Sequence, residues 1–215
     1  MLAGAGALAS SGVAIAGPPE LVDLGSGWQV LIPDNDLVLI VRDNAGLPNL
    51  ILEKVAGMDP GIPLDLVFTQ YAPNSQSGTH FLITEESILN MSGSETWVRF
   101  DNQLVNVSNG AAVFNVAASA TFSIGPEFTA AAYYASNTGV QFSGGVGVAP
   151  GAYWLPGQAA GALQIDVTLN PANSAEARTT FTLRETPNKP PVPTPGATVL
   201  VALAGVVMLG RRRRR

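Results

Sequence analysis

His80 is the single histidine of this chain of 215 residues, and cysteine is absent. There is thus no thiol nucleophile, no thiolate metal site and no disulfide framework. One imidazole alone cannot build a His-rich metal centre. A Ser–His–Asp triad around it would need partners brought in from distant segments, so His80 is expected to be a strand-edge residue. Asp34, Asn35 and Asp36, with Asp43 beyond them, could supply hard oxygen ligands to calcium. Their spacing matches half of a loop site without the rest of an EF-hand pattern, and turn formation accounts for the same residues. Asp34, Asp36 and Asp43 are therefore the calcium candidates in a chain otherwise expected to carry no metal and no cofactor. Glu85 and Glu86 are adjacent carboxylates, which point to opposite faces of a strand and do not stack on a helix. Nothing in their spacing makes a glycosidase pair. Glu95 and Asp101 suit a solvated surface as well as they suit catalysis. Trp28, Trp97, Trp154, Tyr133, Tyr134 and Tyr153 could stack on sugar rings, although such residues more often serve as core mass or loop anchors. Asn90-Met91-Ser92 and Asn106-Val107-Ser108 match the N-x-Ser acceptor pattern and are read as turn or strand residues. No recognisable catalytic set emerges, and the expectation is a protein that is not an enzyme.

The elements that must position these residues are strands. Period-two alternation recurs along the chain. In the segment 163–169, Leu163, Ile165, Val167 and Leu169 face one way and Gln164, Asp166 and Thr168 the other. Residues 178–184 repeat the pattern with Phe181 and Leu183 inward, as do Leu64, Leu66 and Phe68. Further strands are expected at 28–32, 37–42, 50–55, 81–84, 97–100, 112–116 and 120–124. Pro33-Asp34-Asn35-Asp36, Asp43-Asn44-Ala45-Gly46, Asp59-Pro60-Gly61 and Asn109-Gly110 punctuate them. Residues 85–90 and 128–135 could each form a helical turn or two, and the Gly-rich run 139–151 reads as a long loop. Trp154 at its end is placed to tuck under a sheet edge. About ten short strands imply an all-β fold: a single antiparallel β-sandwich, jelly-roll or immunoglobulin-like, over residues 17–186.

Both ends of the chain differ from this body. Residues 1–16 are apolar and rich in small residues, and Ala14-Ile15-Ala16 forms an Ala-x-Ala cleavage pattern ahead of Gly17-Pro18-Pro19, without a basic stretch in front. This reads as a signal peptide. At the other end, prolines at 187, 190, 191, 193 and 195 make an extended spacer. Ala197 to Gly210 carries no charge. As a helix it would span ~21 Å against a hydrocarbon core of about 30 Å. Arg211, Arg212, Arg213, Arg214 and Arg215 could lengthen that reach by snorkelling and would stay on the cytoplasmic side. The chain as a whole carries 11 Lys/Arg and 16 Asp/Glu, a net charge of −5. Without the terminal arginines, six basic residues face sixteen acidic ones, a balance of −10. An acidic body argues against nucleic-acid binding, which calls for a basic face.

A short Pro motif, an apolar stretch and a basic end, in that order, resemble the PEP-CTERM sorting signal of exosortase systems. The motif reads Val192-Pro193-Thr194-Pro195-Gly196, with Thr194 where that family usually has Glu. The body is also similar to PEP-CTERM proteins of planctomycete type, through Gly27-Trp28-Gln29, Asn90-Met91-Ser92-Gly93 with Trp97, Trp154-Leu155-Pro156-Gly157 and Thr180 to Glu185. The resemblance implies export through the inner membrane to the cell surface or extracellular matrix. It implies a transmembrane sorting helix at 197–215, processing by an exosortase-like enzyme, and a structural or adhesive role linked to exopolysaccharide. The alternative is a carbohydrate- or calcium-binding surface module.

Overall fold

In a computed structural model, residues 19–33, 38–41 and 46–190 are described, of 38–41 the backbone alone. Ala14 and Ala16 of the expected signal peptide, the calcium candidates Asp34, Asp36 and Asp43, and the whole of 191–215 lie outside them. Among the described residues no helix is long and apolar enough to cross a membrane.

Among the described residues thirteen strands form two sheets. The larger contains β1 (Glu20–Gly25), β2 (Trp28–Ile32), β5 (Leu64–Gln70), β7 (Trp97–Ser108), β9 (Ala130–Tyr133), β10 (Gly139–Val148) and β13 (Thr180–Asn188), in the order β1-β2-β5-β13-β7-β10-β9. The smaller contains β3 (Val38–Val41), β4 (Asn49–Met58), β6 (His80–Asn90), β8 (Gly110–Phe114) and β12 (Leu163–Leu169), in the order β3-β4-β6-β12-β8, with the short β11 (Tyr153–Trp154) pairing with β6. All ladders are antiparallel except β4 with β6, which run parallel. Parallel neighbours need a crossover, and here the chain makes it through β5 in the opposite sheet.

Alternation puts an apolar row from each strand between the sheets. Two aromatic nodes dominate that core. Trp28, Phe68, Phe81 and Phe181 form the first; the Phe68 and Phe181 rings stack at 4.8 Å and Phe81 meets both edge-on. Phe100, Phe128, Phe142 and Trp154 form the second, with Phe128 edge-on to Trp154 at 5.0 Å. Trp28 and Trp154 are fully buried, and each indole N–H donates to a carbonyl, of Gly78 and of Ile124, both at 2.9 Å. The β1–β2 turn passes so close to the 74–77 segment that a Cβ on Gly27 would stand 2.6 Å from Ser77 Oγ.

Several expected elements differ from those observed. Residues 85–90 extend β6 and 130–133 form β9; neither is helical. The Gly-rich run is β10, kept extended by ladders to β7 and β9 on its two sides. Its register shifts between Ser143 and Val148, where Gly144, Gly145 and Gly147 take φ of 77°, 68° and 74°, a conformation that glycine alone adopts freely. Residues 120–124 form no strand: a turn covers 120 and 121 and irregular chain follows. β13 continues through Pro187 to Asn188, past the expected boundary at 186. β5 ends its pairing at Glu185, so the missing N–H of Pro187 interrupts no ladder bond on that side.

Phe181 touches three of the four rings of its node. Phe181→Ala is expected to lower unfolding free energy by about 3–5 kcal/mol, measured by urea denaturation. Tyr153→Ala, at a half-exposed ring, should change it by less than about 0.5 kcal/mol.

Candidate functional site

Three strands send a charged side chain into the core where only apolar ones would be expected. On β4 the inward row is Leu50, Leu52, Lys54, Ala56 and Met58, all buried. On β13 it is Phe181, Leu183, Glu185 and Pro187. On β6 the row begins as Phe81 and Ile83, then changes phase. The β4–β6 register pairs Leu52 with Ile83 but Glu53 with Glu85, so Thr84 is an extra residue. This bulge turns Glu86, Ile88 and Asn90 inward.

Lys54 Nζ donates to Glu86 Oε1 at 2.5 Å and to both carboxylate oxygens of Glu185. All three side chains are almost wholly removed from solvent. Leu52, Leu66, Phe68, Ile83 and Leu183 surround them, leaving a space of only about 10 Å³, at the lower limit of what one water needs. Burial, opposed by the Lys54 charge and reinforced by Glu86, pushes the Glu185 carboxyl up to about 7. Burial by itself would lower the Lys54 pKa, but the two carboxylates outweigh it and raise it above its ordinary value. Two carboxylates against one ammonium leave an excess negative charge in a dry interior, and a proton on Glu185 removes it. Asn102 lies directly opposite Glu185 in the β7–β13 register, fully buried, with neither side-chain polar atom hydrogen-bonded among the described residues.

A second polar group lies on the outer face of the smaller sheet. His80 starts β6 but is flanked by Asn49 of β4 and Asp166 of β12, so it lies within the sheet and not at a strand edge. Its Nδ1–H donates to Asp166 Oδ1 at 2.8 Å. Gln164 Nε2 donates to the same oxygen at 2.6 Å and Asn115 Nδ2 to Oδ2 at 2.7 Å. Partial burial alone would raise the Asp166 pKa, but these three donors hold it below its ordinary value of 3.8. The sequence pattern already placed Gln164 and Asp166 on the polar face; it gave no sign of their convergence with His80. No hydroxyl hydrogen-bonds the His80 ring among the described residues, so a triad is not assembled there.

The other sequence candidates are dispersed. Trp28, Trp97 and Trp154 are fully buried and cannot stack on a ligand. Tyr133 packs on the core beside Phe114, Tyr134 covers Gly139, and Tyr153 stands at the opposite end on β11. Asp101 is buried, paired with Arg99 and accepting from Gln141 and Asn188, whereas Glu95 stays at the surface with Lys189. Glu85 and Glu86 face opposite ways, as expected of a strand. Asn90 is fully buried, its amide donating to the carbonyls of Glu95 and Val148, which leaves no access for a glycan. Among the described residues no group of three or more His, Asp or Glu is placed to hold a metal. A groove of about 260 Å³ lies at the end of β4, lined by Gly57, Met58, Asp59, Ile62, Pro63, Leu64 and Met91, with none of the sequence candidates in it.

Comparison with protein families, with curated proteins and with solved structures finds no match to this chain.

Because Asp166 is more acidic folded than unfolded, its contribution to stability is complete above 3.8 and disappears as pH falls through the folded value. Asp166→Asn is expected to cost about 1 kcal/mol at pH 7. In denaturation series at successive pH values, the gap between variant and wild type should close below pH 3.8.

Proposed function

We propose that this chain is an exported surface or extracellular-matrix protein with a structural or adhesive, non-enzymatic role linked to exopolysaccharide. The observation that carries this reading is the order of the last residues: the Val192-Pro193-Thr194-Pro195-Gly196 motif, fourteen uncharged residues, then Arg211 to Arg215. In this reading an exosortase-like membrane enzyme and the export machinery are the partners, and the membrane is occupied only in transit. The Ala14-Ile15-Ala16 pattern and the acidic body support it independently. A core without cysteine, held by two aromatic nodes, suits a module that must fold after export without oxidative chemistry. We read its sheets as a jelly roll in preference to an immunoglobulin-like sandwich. Within the larger order, β5-β13-β7-β10 is one half and β6-β12-β8 the other, and the chain alternates between them from β5 to β8.

The test is fractionation of cells producing the full chain, with the mature C-terminus determined by mass spectrometry. Loss of the arginine cluster from a surface or secreted form is expected. An intact Arg215 retained in the inner membrane would mean a permanent tail anchor and overturn the sorting reading.

The polar array on the smaller sheet favours a second reading, a carbohydrate-binding surface module. His80, Gln164, Asn115 and Asp166 are half-exposed and held in fixed orientation by their mutual hydrogen bonds, a suitable surface for sugar hydroxyls. Glycan-array binding that drops at least about tenfold, ~1.4 kcal/mol, in Asp166→Ala would support it. An array with no binding leaves the structural role.

A further inference from the structure

We propose that Lys54 and Glu185 are the substrates of a self-catalysed cross-link, an amide bond between Lys54 Nζ and Glu185 Cδ, with Glu86 as the proton-transfer group. The bond would join β4 in the smaller sheet to β13 in the larger one.

The geometry meets the requirements of amide formation one by one. The nucleophile is in place: Lys54 Nζ contacts both oxygens of Glu185, so the amine already lies against the carboxyl carbon they share. Holding two reactants this way replaces a bimolecular encounter by a unimolecular one, worth an effective concentration of roughly 10⁵–10⁸ M. The base is in place: Glu86 Oε1 is 2.5 Å from the same nitrogen. Its other oxygen, Oε2, has no hydrogen-bond partner among the described residues. Glu86 therefore touches the atom that must lose its protons, and that atom in turn touches the group that must lose its hydroxyl. The surroundings are suitable too: five apolar side chains and almost no space for water exclude the solvent that would favour hydrolysis.

The reaction needs no oxidant and no cofactor. The Lys54 ammonium passes a proton to Glu86, giving the neutral amine, while Glu185 is present as the carboxylic acid that its dry site favours. The amine lone pair forms the N–C bond at Glu185 Cδ, and the carbonyl becomes a tetrahedral centre. A second proton leaves nitrogen as the C–O bond to the hydroxyl breaks. Glu86 gives the proton it took first to that hydroxyl, which departs as water, takes up the second nitrogen proton in its place, and ends as the neutral acid. The product is a neutral amide plus one water, and the amide N–H is left facing Glu86 as acceptor. The carboxylates hold Lys54 mostly charged, so the attacking amine is the minor form. A reaction that occurs once in the life of a chain tolerates that. It also supplies a driving force, since a buried ammonium and carboxylate become one uncharged, hydrogen-bonded group.

Peptide mapping of the purified, folded full-length chain by mass spectrometry tests the proposal, and trimming at either terminus does not affect the result. Tryptic cleavage after Lys54 is expected to be blocked. The fragment 43–99 should appear joined to the fragment beginning at Glu185, lighter than the two together by one water. Lys54→Met should yield only separate fragments. Glu86→Gln retains both reacting groups and should form the link about 10²–10⁴-fold more slowly, with circular dichroism confirming that it is folded. Separate, full-mass fragments from folded wild type would overturn the proposal and leave a buried ion cluster. A link lighter by ammonia and mapping to Asn102 would overturn the choice of Glu185. Wild-type rates in Glu86→Gln would overturn the role of Glu86.

Discussion

The larger sheet closes around its last strand. β13 pairs with β5 along Thr180–Glu185 and with β7 along Thr180–Asn188, so β5 and β7 are joined in the sheet only through this strand from the C-terminal end of the body. Each residue pairing across β13 and β5 is separated by more than a hundred positions in the chain, and contacts of that range make folding slow. The same strand touches every part of the core. Phe181 lies in the first aromatic node, Pro187 is registered against Phe100 of the second, and Glu185 stands between them in the ion cluster. Its outer face is fixed as well: Arg184 grips Asp65 through two parallel hydrogen bonds of 2.7 Å. A one-residue slip would expose Phe181 and bury Arg184 together, so register and core composition enforce each other.

Irregular backbone then decides which polar groups enter that core. The bulge at Thr84 determines that Glu86, and not Glu85, faces Lys54. Segment 153–157 approaches the bulge closely: Pro156 accepts from Glu86 N–H, and a Cβ on Gly157 would stand 2.0 Å from Thr84 O. That glycine, at φ 80°, allows the chain to cover the bulge and deliver Trp154 to the second node. The Gly144–Gly147 irregularity works in the same way on β10, bending the strand so that Val148 pairs with Trp97.

Alternation made much of this legible. The apolar rows of β2, β5 and β12 are written in the sequence at the bounds the strands occupy, because both faces of those strands meet consistent environments. The inward charges of Lys54 and Glu185 were legible in principle: each continues an apolar row, after Leu50 and Leu52 or after Phe181 and Leu183. Glu86 was not, since a bulge that inverts phase leaves no local signature beside two glutamates. β10 was hidden for a different reason. Glycine is a poor strand former, and what holds 139–148 extended is its two neighbours, which no local pattern reports. Residues 120–124 differ in the opposite sense: Ala-Thr-Phe-Ser-Ile alternates well but leaves a turn as irregular chain, with the Phe122 N–H bonded to the Ser119 carbonyl. The His80–Asp166 pairing depends on strand order, which alternation does not specify.

An ion cluster is a poor device for stabilising such a core. Desolvating buried charges costs several kcal/mol per ion, and well-packed apolar residues of similar size commonly do as well or better. Leu52, Leu66, Ile83 and Leu183 already show that this layer accepts them. The placement of Lys54 and Glu185 has a better rationale in covalent chemistry. Without cysteine the two sheets have no disulfide between them, and ladder hydrogen bonds and packing are what hold β13 between β5 and β7. Glu185 is three residues from the end of that strand, and the spacer toward 192–196 follows directly. Any load applied through the C-terminal segment would enter the body along β13 and act to withdraw it. An amide from Glu185 to Lys54 would pass that load to β4 in the opposite sheet, so that withdrawal would require breaking a covalent bond and not only a ladder of hydrogen bonds. A link elsewhere on β13, at Phe181 for instance, would leave the last turn of the ladder free to peel; at Glu185 it lies close to the end where peeling would begin.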